Sequence, residues 1–223
     1  MWTSVSTCIP KAVTRQNLPS LENQQLAKMT NNESRGGAMI PAGYMAKRVV
    51  VKPDWIDATQ VVDIYSVSQC VSLNFADYIN YWKHNGYWLF DSPEIIVALA
   101  RTNGIALNGT KLFYYETYEH EFDEGTKQWK DFVPEPSFKT SVLPPTQKRL
   151  EGFDVVTFSV HTSPECSPLS CNSYAMKIPT NEHCLLSSLD SAREAVQTGR
   201  FDDSEPGPFR IFAVYSAEWQ PDG

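Results

Sequence analysis

Apolar and polar positions in this chain change period every ten to twenty residues, so several short elements are expected and no single long one. Arg48-Val49-Val50-Val51 and Val61-Val62-Asp63-Ile64-Tyr65 are β-branched runs of strand length. Phe75, Tyr78, Ile79 and Trp82 then fall at i, i+3, i+4 and i+7, predicting a helix capped by Asn74 and closed by Gly86. Ser92-Pro93 opens a second helix with a cap oxygen followed by a residue that needs no amide hydrogen. Ile95, Ile96 and Leu99 face inward, and Asn103-Gly104 ends it. Lys111 to Phe122 alternates and predicts a long strand, Phe153 to Val160 another, and His183 to Ser187 a short one. Leu189 to Thr198 reads as a helix closed by Gly199, and Phe209 to Ser216 as a last strand.

Ten of the fifteen prolines lie between Pro134 and Pro221, which excludes long helices from most of the C-terminal half. Strands outnumber helices and do not alternate with them. The expected fold is therefore α+β: one domain, residues 47–223, with a mainly antiparallel sheet and about three helices. No internal repeat is visible. Residues 1–46 lack a sustained apolar period and are rich in Asn, Gln, Ser and Thr, so they are expected to form a flexible tail.

Composition narrows the function classes. The net charge is -7, and no basic run interleaved with aromatics occurs. Phosphate would repel such a body, so nucleic acid is excluded as a partner. The longest wholly apolar run, Ile95 to Ala100, is far short of the ~20 residues of a membrane helix. Five cysteines without an apolar leader point to a reducing, cytoplasmic setting.

Three places carry side chains with chemistry. Seven aromatics lie between Phe75 and Phe90, and Tyr81, His84, Tyr87 and Trp88 among them suit a partner-binding surface. On the long strand, Glu116 and His120 share a face about 13 Å apart, too far for direct coupling without a third group. Cys166, Cys171, His183 and Cys184 are ligand types for zinc, although their spacing is irregular. Cys166 with His161 or His183 as base is the nucleophile alternative. Phosphate-binding loops, a dinucleotide fingerprint and a calcium loop are missing.

The residues thus lead first to an acidic protein-interaction module of the inhibitor, immunity or adaptor kind, needing no cofactor and binding a protein with a basic surface. A small hydrolase or transferase with a Cys/His or Glu/His site is the alternative, and a structural zinc domain the second. The sequence sets no oligomeric state.

Overall fold

In a computed structural model the described residues are 37–68, 71–75, 85–132, 141–157 and 166–220. The core of the fold is one curled antiparallel sheet. Strand β1 is Met39–Arg48, β4 is Leu73–Asn74, β5 is Lys111–Asp123, β7 is Lys148–Thr157 and β8 is Phe209–Ala217. They lie in the order β4-β1-β5-β8-β7, and β6 (Gln128–Asp131) adds to the far end of β5. Strands β2 (Val50–Val51) and β3 (Asp63–Ile64) make a separate two-stranded ribbon. Helix α1 covers Pro93–Asn103 and α2 covers Leu189–Gln197. No helix among the described residues is long and apolar enough to cross a membrane.

The sheet is built from one motif used twice. Each half begins with a strand interrupted by a glycine bulge, at Gly43 (φ 143°) in β1 and Gly152 (φ 150°) in β7. A Cβ at Gly43 would sit 2.6 Å from Leu89 Cβ, and one at Gly152 would sit 2.7 Å from Leu185 Cβ. Only glycine tolerates both this backbone and this approach. What presses on each glycine is a turn ordered by one asparagine. Asn85 Nδ2 donates to Ala42 O (2.7 Å) while its Oδ1 accepts from Tyr87 N (3.0 Å) and Leu89 N (3.2 Å). Asn181 repeats this with Glu151 O (2.6 Å), His183 N (3.0 Å) and Leu185 N (3.0 Å).

A left-handed residue follows in each turn, Trp88 (φ 59°) or Cys184 (φ 62°), and then a bridge back to the bulged strand, Tyr44–Phe90 or Phe153–Leu186. Ser92 and Ser188 next open α1 and α2, which lead into β5 and β8. In the ladders Gly43 faces Tyr115, Gly152 faces Val214, and Tyr115 faces Val214. The halves are therefore related by a local twofold centred on the Tyr115–Val214 pair.

Several expectations change. The body does not begin at residue 47: β1 starts at Met39, and Ala42 to Lys47 are buried. The bulge at Gly43 breaks the period-two alternation that would have marked the strand. Two helices, not about three, are found among the described residues, together with a 3₁₀ turn at Tyr174–Met176. Asn74 ends β4, and residues 76–84 of the expected helix lie outside the described residues. Ile96 and Ala100 form the buried side of α1, whereas Ile95 is exposed. Finally, the repeat is real but hidden: 42 residues separate Gly43 from Asn85, and 29 separate Gly152 from Asn181.

Candidate functional site

The most concentrated polar chemistry lies inside the molecule, around the segment Ser66-Val67-Ser68. Lys47, on β1, is 1% exposed and directs its ammonium to the carbonyls of Ser66, Val67 (3.1 Å) and Ser68 (3.3 Å). Asp154, on β7, is fully buried and takes the donors of the same segment. Its Oδ2 accepts from Ser66 Oγ (2.7 Å) and Val67 N (2.8 Å), and its Oδ1 accepts from Ser167 Oγ (2.6 Å). Burial pushes the Asp154 carboxyl above its ordinary value, opposed by these donors and by the Lys47 charge. A cation on β1 and an acid on β7 thus hold one loop from its two hydrogen-bonding sides. Such a network fixes structure, because every group in it is desolvated and committed.

Three cysteines of the described residues, Cys166, Cys171 and Cys184, lie near this network. Cys171 Sγ lies 3.7 Å from Ser68 Oγ, and Cys166 Sγ lies 3.8 Å from Asn172 Oδ1. Among the described residues no group of three or more His, Cys, Asp or Glu side chains is placed to hold an ion, so the zinc tetrahedron of Cys166, Cys171, His183 and Cys184 is not formed there. Cys184 is 2% exposed, and burial pushes its thiol up to about 12, which leaves it protonated and unreactive at neutral pH.

His183 is drawn away from the cysteines by carboxylates. Its Nδ1 lies 2.6 Å from Asp63 Oδ1, its Nε2 lies 3.7 Å from Glu151 and Glu182, and its ring stacks on Tyr65 at 3.9 Å. The Asp63 contact resembles the way a carboxylate orients a general base. Among the described residues, however, no hydroxyl or thiol hydrogen-bonds to the His183 ring. The ring ties the β2–β3 ribbon to β7, and backbone bonds reinforce it: Val62 N and Asp63 N reach Glu182 O, and Tyr65 N reaches His183 O. His161 lies outside the described residues.

Glu116 and His120 do not meet. Glu116 is held by Lys148 Nζ (2.5 Å), Tyr114 Oη (3.2 Å) and Tyr215 Oη (2.9 Å). His120 turns to Asp131 (3.1 Å) and Glu119 (3.6 Å), beyond an irregularity in the β5–β8 ladder. Of the aromatic surface, Tyr87 is 4% exposed and packs on Phe132 at 5.4 Å, so it belongs to the core. Trp88 is half-buried in the Asn85 turn, and Tyr81 and His84 lie outside the described residues.

The exposed surface offers a different feature. Trp55 is 60% exposed and Met176 is 52% exposed, and both flank the turn at Ser173, whose Oγ donates to Trp55 O (3.4 Å). Beside them a groove of about 350 Å³ runs between Asp57–Gln60 and Ala175–Pro179. The adjoining ribbon exposes Val51 and Val62. Of the nearby lysines, half-buried Lys52 donates to Ala58 O (3.3 Å), and exposed Lys177, which lines the groove, lies over the Tyr174 ring (4.8 Å). Asp54 and Asp57 are exposed and form no ion pair among the described residues.

Comparisons with protein-family models, with characterised proteins and with solved structures find no match.

Sequence reasoning missed Trp55, Met176, Lys47 and Asp154. Trp55 sits in Pro53-Asp54-Trp55, where a large apolar residue inside a turn signal was the available clue. Nothing local distinguishes Lys47 or Asp154, since the loop between them is brought in by tertiary folding.

Proposed function

We propose that this chain is a protein-binding module whose contact surface is the Trp55–Met176 groove, and that its partner presents an apolar side chain flanked by basic residues. The observation that carries the reading is Trp55 itself: a tryptophan 60% exposed beside a groove lined by Ala58, Met176, Ile178 and Pro179 together with Asp57 and Lys177. Tryptophan anchors interfaces because it buries a large area at little cost in side-chain entropy. A scattered exposed leucine needs no explanation, but a tryptophan, a methionine and two valines on neighbouring segments form a patch. The net charge of -7 favours encounter with a basic partner.

Two further observations support binding over catalysis. Cys184 is buried with a raised thiol, and Glu116 and His183 are each saturated by neighbours. An inhibitor, immunity or adaptor role in the cytoplasm fits such a module.

The test is affinity capture from native lysate with the wild-type chain and with the Trp55→Ala, Met176→Ala double variant, followed by calorimetry on the captured partner. A partner that binds the wild type and binds the double variant at least tenfold more weakly, with both chains equally folded, supports the reading. A partner bound equally by both chains overturns it.

A further inference from the structure

The Glu116 cluster holds a feature that the groove does not use. Lys148 Nζ lies 4.1 Å from the centroid of the Tyr215 ring and 4.7 Å from that of Tyr114, with Glu116 Oε1 at 2.5 Å. One ammonium therefore meets two aromatic faces and a carboxylate. The walls are braced: Tyr215 Oη donates to Glu116 Oε2 (2.9 Å), Tyr114 Oη donates to Glu116 Oε1 (3.2 Å), and Tyr44 packs on Tyr114 at 5.1 Å. Tyr44 is fixed in turn by its bond to Leu143 O (2.6 Å).

This is the composition of an aromatic cage, in which ring quadrupoles and one anion recognise an organic cation. An ordinary strand-to-strand salt bridge needs only the carboxylate and the lysine. Here two tyrosine rings converge on one ammonium, with Tyr44 behind Tyr114, and burial raises the phenols of all three. A second observation points to an incoming ligand. A surface cavity of about 350 Å³ is lined by Gln147, Lys148, Arg149, Ser216, Ala217 and Glu218. Lys148 borders both this cavity and the cage. The lysine stands at the first position of the edge strand β7 on a four-carbon stem and can swing out without moving the ladder.

We propose that Tyr114, Tyr215 and Glu116 form a binding site for a methylated organic ammonium group, and that Lys148 occupies it as an internal stand-in when no ligand is present. The site lies apart from the Trp55 groove and stands or falls independently of it. The apparent affinity of the wild type is reduced by the fraction of time Lys148 leaves the cage empty. Removing the stand-in therefore tightens binding, and a lysine in place 99% of the time implies a gain of about a hundredfold.

The experiment titrates tetramethylammonium, choline and N-acetyl-trimethyllysine into the full chain by calorimetry, with 3,3-dimethylbutanol as the uncharged mimic. Lys148→Ala is expected to bind the cations at least tenfold more tightly than the wild type and to ignore the neutral mimic. In that background Tyr215→Phe keeps the ring and the binding, whereas Tyr215→Leu or Glu116→Gln loses tenfold or more. Preference for choline or for trimethyllysine separates a small-molecule headgroup from a modified side chain. Equal affinity of wild type and Lys148→Ala, or equal binding of the neutral mimic, overturns the proposal. The wild type supplies a second readout that needs no variant to fold. Tetramethylammonium is expected to accelerate acetylation of Lys148, measured by peptide mass spectrometry, and an unchanged rate counts against displacement.

Discussion

Replacing Asp154 with alanine removes the acceptor of three buried hydrogen bonds at once, from Ser66 Oγ, Val67 N and Ser167 Oγ. It also removes the negative charge facing Lys47, which is 1% exposed. A hydrogen bond to a charged group contributes about 1.5–3 kcal/mol, but the three share one carboxylate whose burial is itself costly. Taking one partner from a buried charged network costs about 3–5 kcal/mol, a large part of the 5–15 kcal/mol typical of a domain. For a body of this size each kcal/mol lowers Tm by about 2–4 °C, so a fall of about 6–20 °C is expected.

Urea unfolding followed by far-UV circular dichroism measures the loss, with the slope of the transition reporting whether the unfolded state has changed. The decisive arm is a cycle of Asp154→Ala, Lys47→Met and the Lys47→Met, Asp154→Ala double variant. Because both side chains hold the same loop, the double variant should cost at least 1 kcal/mol less than the sum of the singles. Additive losses, or an Asp154→Ala loss under about 1 kcal/mol, would refute the claim that the two residues form one structural unit.

Four further outcomes are expected. Gly43→Ala and Gly152→Ala should each destabilise by about 1–3 kcal/mol in chemical denaturation and to a similar degree, since both meet a leucine Cβ within 2.7 Å. Native alkylation read by mass spectrometry should leave Cys184 unmodified at neutral pH, while half-buried Cys171 reacts. Trp55→Ala and Met176→Ala should shift stability by no more than about 0.5 kcal/mol in the same denaturation assay, as expected for exposed side chains. For the phenols of Tyr44, Tyr87, Tyr114 and Tyr215, burial raises the folded-state value above the unfolded one, to about 12 for Tyr44. The stability they contribute is complete below about pH 10 and is lost as pH rises through the folded values. Urea midpoints should therefore hold at neutral pH and drop above about pH 10, with phenolate absorbance rising alongside unfolding.

Helix α1 was legible because its signals are local: Ser92-Pro93 at one end and Asn103-Gly104 at the other match Pro93–Asn103 almost residue for residue. The same holds for α2, and β5 and β8 were legible from their runs of β-branched and aromatic residues. β1 was not legible, because Gly43 inserts a residue and moves the apolar positions to the other face. The repeat escaped notice for a related reason. It is carried by a handful of conformational positions, Gly43 with Gly152 and Asn85 with Asn181, embedded in loops of unequal length. Among the candidate site residues, the sequence brought out individual reactive groups but not their partners. His183 was read beside Cys184, its chain neighbour, yet it points to Asp63, 120 positions away. Nothing in the sequence around Lys148 marks it, because its partners Tyr114 and Tyr215 lie on other strands.

The axis through Tyr115 and Val214 has a corollary for how such a molecule can be assembled. A polypeptide of half the length, carrying one bulged strand, one asparagine turn, one helix and one long strand, would complete the same sheet by joining a second copy of itself edge to edge. In the present protein that association is internal and permanent, independent of concentration, and each copy is free to specialise. One has kept an acid, Asp154, where the other has Met45, and a turn cysteine, Cys184, where the other has Trp88.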